Sequence, residues 1–168
     1  MSEQEPGANQ EAIEAGGVAE SQGIGEIGFF IIRNYLHDLS VENPVGRVAK
    51  NEDIAQLRFG LEGRVEVKPM EAPNTSLVEI NMQLTSMLRE QVVFLVDVTY
   101  RVEVELRGIP ELVAPFTLSV NVPEAIFPVL QEILQRNAGY AGYPEMQMRM
   151  PDFRALYVAK HGLGPSGI

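Results

Sequence analysis

VVFLVDVTYRVEVEL (residues 92–106) decides the fold. Its even positions are Val92, Phe94, Val96, Val98, Tyr100, Val102, Val104 and Leu106, and every one is apolar or aromatic. From Asp97 onward every odd position is polar. Successive side chains of a strand point to opposite faces, so this run reads as a strand with one buried and one wet face. That is the pattern of an antiparallel sheet covered on one side.

The neighbouring runs extend the sheet. Val78, Ile80, Met82, Leu84 and Leu88 repeat the alternation and are separated from the first run only by REQ (residues 89–91), which predicts an antiparallel hairpin. Leu57, Phe59, Leu61, Val65 and Val67 mark another strand, ended by Pro69 and the loop EAPNTS. GFFIIRNYLHDLSVE (residues 28–42) is the first strand; it is apolar on both faces at its start, where cover on both sides is expected. VENPVGRVAKNEDIAQ (residues 41–56) has no sustained period, and so long a connection in a compact domain points to function.

Helices follow the strands. PEAIFPVLQEILQRNAG (residues 123–139) has Pro at a plausible first helical position and Gly at its end. Ile126, Leu130, Ile133 and Leu134 share one face with Phe127 beside it, and Pro128 is expected to bend the first turns. This helix carries more apolar surface than one sheet face needs, which predicts self-association. A short helix from Asp152 to about Lys160 follows Pro151. The predicted fold is α+β: a four-stranded antiparallel sheet with a long helix and a short C-terminal helix on one face. Residues 26–160 form the domain, residues 1–25 a disordered acidic tail, and residues 161–168 a flexible end.

Composition narrows the function classes. The hydrophobic share of 45% suffices for one core in 168 residues. With no cysteine there is no disulfide scaffold, thiol nucleophile or thiolate metal site. The first residues carry no basic n-region and no long apolar run, so neither a signal peptide nor a membrane span is expected. Residues 1–26 hold six acids and no Lys or Arg; the remainder holds 17 acids and 13 bases. Nucleic-acid binding, which needs a basic patch, is disfavoured.

Catalytic motifs fail on context. GIGEIG (residues 23–28) matches G-x-G-x-x-G, but a tail precedes it and a strand follows, where a nucleotide site needs a strand first and a helix after. His37 and Asp38 are adjacent on a strand and would face opposite ways, so they form no dyad. Asn74-Thr75-Ser76 spells a glycosylation acceptor, a three-residue match of the kind chance supplies. No catalytic, metal or cofactor site is expected. GYAGYPEMQMRMPDF (residues 139–153) is the odd stretch: two tyrosines among Gly and Pro, then Met146, Met148 and Met150 on alternate positions. It reads either as a short half-buried strand under a helix or as an adaptable apolar surface, since Met repacks against differing partners.

Four stretches, in order, resemble the SecB protein-export chaperones. YLHDLSVENP is similar to the family's opening strand and its exit, and VVFLVDV to its third-to-fourth-strand region. VPEAIFPVLQEIL resembles the helix opening with its Phe-Pro step, and GYPEMQMRMPDFRALY the closing motif. The resemblance spans about residues 29–157. It implies a SecB-like fold, a cytoplasmic homotetramer built as a dimer of dimers, and ATP-independent holding of unfolded preproteins for the motor ATPase SecA. By position, it implies that Asp38, Glu42, Leu95 and Asp97 face SecA. The groove for clients would draw on Ile54, Phe127, Tyr140, Tyr143, Met146, Met148 and Tyr157.

There are departures. The family often carries Trp in the long connection, and Ile54 stands near that position; RVEVELRGIP replaces the Gly and aromatic residues usual at the end of the fourth strand. A chaperone dedicated to an antitoxin or another single partner is therefore a second reading. A small-molecule carrier with a closed pocket between sheet and helix is a third.

Overall fold

The computed structural model describes residues 26–46 and 51–162. In chain order these form β1 (Gly28–Glu42), α1 (Asn51–Ile54), β2 (Leu57–Pro69), β3 (Thr75–Leu88) and β4 (Gln91–Arg107). Then come α2 (Ala114–Phe116), a π-helical segment (Thr117–Asn121), α3 (Val122–Tyr140) and α4 (Phe153–His161). The four strands make one antiparallel sheet in the order β1-β4-β3-β2, with the helices on one face. The expected acidic tail, and the expected flexible end beyond Gly162, lie outside the described residues.

The alternation of β4 produces the core. Phe94, Val96, Val98, Val102 and Val104 are fully buried, as are Val78, Ile80, Met82 and Leu84 of β3 on the same face. Over them lie Ile126, Phe127, Leu130, Leu134 and Ala138 of α3. Each fully buried Leu contributes about 1.5–3 kcal/mol relative to exposure. The hairpin closes through Arg89 and Glu90 with Arg89 at φ 57, the left-handed geometry a two-residue hairpin turn demands.

One position departs from the alternation. Val92 is 40% exposed while Val93 is buried. The β3–β4 register steps from Ser86↔Phe94 to Met87↔Val92, so Val93 is an extra residue in a bulge and the phase flips there.

β1 also departs from expectation. It is an edge strand, half-buried at Phe29 and Phe30 and exposed along most of its length, because α3 packs chiefly on β3 and β4. Its register on β4 shifts twice, at Ile32 and at His37. Phe29, Ile31, Asn34, Leu36, Leu39 and Val41 consequently fall opposite the buried even positions of β4. The apolar surplus expected on the helix lies here: Ile126, Phe127, Leu130 and Leu134 are all used by the chain's own sheet. The outer side of α3 presents Glu124, Ala125, Pro128, Val129 and Glu132.

The long helix begins earlier than the sequence indicated. Helical structure is continuous over residues 114–140, about 40 Å of rise, and Pro123 falls just after the π segment, where Val122 N–H bonds to Thr117 O. A proline lacks the donor that a regular turn would use, and the widened π turn accommodates that loss. The methionine stretch forms no strand; after Tyr140 a turn leads into irregular chain up to Asp152. Asp152 then caps α4, its carboxylate accepting from Ala155 N–H at 2.8 Å.

A single buried side-chain polar atom lacks a partner among the described residues, Ser86 Oγ beside the bulge. An unsatisfied buried hydroxyl costs free energy. Ser86→Ala is therefore expected to keep or raise stability, by up to about 1 kcal/mol, in urea denaturation. A clear loss would show that the hydroxyl has a partner.

Candidate functional site

The wet face of the sheet gathers the four residues assigned to a motor-protein contact. In the β1–β4 register Asp38 lies opposite Thr99, Ser40 opposite Asp97 and Glu42 opposite Leu95. The odd positions of β4 here face away from the helices, and residues paired across strands share a face. Asp38, Glu42, Leu95 and Asp97 are thus brought together, neighbours along a strand being about 7 Å apart. The bulge at His37 makes this possible, since without its phase shift Asp38 and Glu42 would point to the helix side. It also changes the reading of His37, which is a bulge residue within β1 and so does not follow the regular alternation of faces.

Amides and not cations hold the patch. Asn81 Nδ2 donates to Asp97 Oδ1 at 2.8 Å and to Thr99 Oγ1 at 3.1 Å, and Gln83 Nε2 reaches Asp97 Oδ2 at 3.4 Å. Among the described residues Asp38, Glu42 and Asp97 enter no ion pair. Other acids of the face are matched: Arg101 donates to Glu79 at 2.7 Å and holds its carboxyl below the usual range, and Arg33 pairs with Glu103. Asp38, Glu42 and Asp97, with Glu62 of β2 in the same cross-strand row as Asp97, form a negative patch on an open strand face.

The groove candidates separate. Phe127, Tyr143 and Met146 are about 5% exposed and belong to the core, not to a free groove wall. The Tyr143 ring packs on Phe94 at 4.7 Å between centroids, and its hydroxyl donates to Val93 O at 2.8 Å. Val93 is the bulge residue, whose carbonyl the strand ladder leaves over, so Tyr143 satisfies it. Burial pushes the phenols of Tyr143 and Tyr100 up. Ile54 and Met148 are half-buried, and Tyr140 is 81% exposed at the end of α3. Tyr157 is half-buried, edge-on to Phe116 at 5.5 Å.

Tyr157 does line a slot of about 380 Å³ with Arg64, Val65, Glu66, Ser119, Leu156 and Lys160, open to solvent. The sequence reading missed these partners. Gly63 in β2 carried the signal, because Gly inside a strand marks a close approach. A Cβ at Gly63 would lie 3.0 Å from Met82 Sδ and 3.8 Å from Leu156. The slot is not the closed cavity a small-molecule carrier needs. Among the described residues no cluster could hold a metal, and no helix is long and apolar enough to cross a membrane.

Comparison with known proteins is consistent from sequence to fold. A family model described as "Preprotein translocase subunit SecB" matches residues 24–162. The chain is 28% identical over 132 residues to the protein-export protein SecB of Novosphingobium aromaticivorans, covering 76% of this chain and 73% of that one. It is 29% identical over 128 residues to the protein of the same name from Rickettsia felis, covering 75% and 83%. The fold matches the Mycobacterium tuberculosis Rv1957 SecB-like chaperone, solved in complex with a ChAD peptide from the Rv1956 HigA1 antitoxin. That match has a TM-score of 0.61 at 16% identity and covers 74% of this chain and 91% of that one.

The two tyrosines of the odd stretch are expected to behave differently. Tyr143→Ala should cost about 3–5 kcal/mol in denaturation, as for other buried aromatics, and Tyr140→Ala within about 0.5 kcal/mol of nothing. Tyr143→Phe tests the ionisation. The folded phenol keeps its proton above the unfolded value of about 10, so its stabilisation is full below that pH and is lost as pH rises through the raised folded value. Stability against pH for Tyr143→Phe should fall less steeply above pH 10 than for the parent.

Proposed function

The chain belongs to the SecB family, and we propose that it is a cytoplasmic, non-enzymatic holdase that binds unfolded preproteins without ATP and delivers them to the motor ATPase SecA. The observation that carries the reading is the convergence of Asp38, Glu42, Leu95 and Asp97 on one open face of β1 and β4. Exposed acids contribute little to folding, since surface pairs are worth roughly 0–1 kcal/mol. Their joint field can steer a basic partner and raise its on-rate.

Assembly follows from the β1 edge. Ile31, Ile32, Leu36, Leu39 and Val41 are 36–55% exposed on a 15-residue strand with no partner on its outer side among the described residues. An open apolar edge is a template for pairing. Two copies joined there, and two such pairs joined again, make the homotetramer we propose. Sedimentation at micromolar concentration should give a dimer at least and a tetramer at saturation. Leu39→Lys should shift the distribution to smaller species with unchanged circular dichroism; a monomeric parent would sink the assembly.

Holding and delivery are tested together. The chain should suppress aggregation of an unfolded precursor without nucleotide and ignore the same protein once folded. Asp38→Asn, Glu42→Gln and Asp97→Asn combined should leave melting and holding nearly intact while weakening capture by the cognate SecA. Added salt should weaken the parent contact likewise. Equal SecA affinities for both forms would favour a chaperone dedicated to a single partner.

A further inference from the structure

On the side of the sheet away from the helices, a trough runs across the strands. Its floor is one cross-strand row of Leu95, Thr85 and Gly60, with Glu42 at the β1 end. Residues paired in this way share a face, and the strands lie about 4.8 Å apart. Gly60 is the unexpected member. It stands inside β2 without left-handed backbone geometry, and a Cβ there would meet nothing within 4 Å. At Gly63 the near approach of Met82 Sδ accounts for the missing side chain; no described neighbour does so at Gly60. Glycine inside a strand costs stability and marks the close passage of another backbone or a ligand. At Gly60 that passage comes from outside the chain.

The two walls differ, each set about 7 Å along the strands from the floor. One is the row Val92, Met87 and Arg58. The bulge at Val93 turns Val92 to this face, where it is 40% exposed beside the half-buried Met87. The other wall is the row Asp97, Gln83 and Glu62, an amide between two carboxylates. Among the described residues neither Asp97 nor Glu62 enters an ion pair, and neither does Arg58. One wall is thus apolar and ends on a cation that repels basic side chains, while the other attracts them. Asp97 and Glu42 belong to the negative patch, so the trough is continuous with it.

We propose that this trough holds an extended segment of the docking partner in which apolar and basic residues alternate. Successive side chains of an extended chain point to opposite sides, so alternate residues meet opposite walls. The apolar ones lie on Val92 and Met87, the basic ones reach Asp97 and Glu62, and the backbone passes over Thr85 and Gly60. Four strands span about 14 Å, room for four or five residues. A block of basic residues would satisfy only the acidic wall and leave Val92 and Met87 in water, forgoing their burial. Charge brings the partner to the face, and the two unlike walls select its sequence pattern. This rests on the motor-docking reading and names the path and the partner chemistry within it.

Gly60→Thr fills the trough with a residue suited to a strand. Its melting temperature should be unchanged or higher and its suppression of aggregation intact, while its affinity for the cognate SecA falls about tenfold. Two labelled peptides of one composition, four Lys and four Leu in alternation or in two blocks, probe the pattern by anisotropy on the full chain. The alternating peptide should bind the parent several-fold tighter, and Gly60→Thr should erase that difference. Unchanged SecA affinity in Gly60→Thr, or equal binding of the two peptides to the parent, overturns the inference. A shift of Gly60→Thr to smaller species in sedimentation overturns it too, because a second copy would then be the occupant. Should Gly60→Thr melt lower than the parent, Glu62→Gln decides in its place: weakened SecA capture supports the trough and unchanged capture overturns it. If the combined Asp38, Glu42 and Asp97 variant loses SecA affinity while Gly60→Thr keeps it, the docking reading stands and only the trough falls. Equal affinity for that combined variant and the parent sinks the docking reading itself.

Discussion

Pairing of β4 on both sides is the constraint from which the rest of the structure follows. β4 carries β1 on one side and β3 on the other, and α3 covers its even positions. Those positions are committed to the core from Phe94 to Val104, so the odd ones must face outward. A slip of one residue would bury Asp97, Arg101 and Glu105 and expose the valines, at a cost no local rearrangement offsets. The register of the whole sheet, and with it the location of every surface feature, is pinned by this one strand.

Bulges adapt the neighbours to that fixed strand. At Ile32 and His37 an extra residue in β1 brings its alternation back into step with β4. The bulge at Val93 leaves a carbonyl over, and Tyr143 is recruited from the segment after α3 to satisfy it. The same kind of device thus has two outcomes. In β1 it composes an acidic surface; in β4 it anchors the end of the helical layer to the sheet.

Regular alternation was legible in the sequence, and phase shifts were not. The β3–β4 hairpin followed from valines on alternate residues and a connection too short for anything else. β1 was misjudged because FFII reads as two buried faces, whereas the spacing Ile31, Asn34, Leu36, Leu39 records two steps of three that mark bulges. Tyr143 stands in irregular chain among Gly and Pro neighbours, where nothing local marks it as core, and its partner is a carbonyl that only a register shift makes available. Pro123 suits a first helical turn, so nothing local announced the π segment before it. Lys160 is an ordinary surface cation in the sequence; its bond to Val65 O comes from a tertiary approach of α4 to the β2 edge that only Gly63 marks.

The union of β1 with β4 also has a consequence in time. Arg33 meets Glu103 seventy residues later in the chain. At roughly 5–20 residues per second of synthesis, β1 leaves the ribosome roughly 4–14 s before the strand that will hold it exists. During that interval FFII has no template, while the β3–β4 hairpin needs only its own two-residue turn. Arg33, His37 and Asp38 interrupt the apolar run during the wait, as charges flanking a hydrophobic strand do in sequences selected against premature association. A protein proposed to shelter the nascent segments of others thus passes through its own birth with a segment of the same kind exposed.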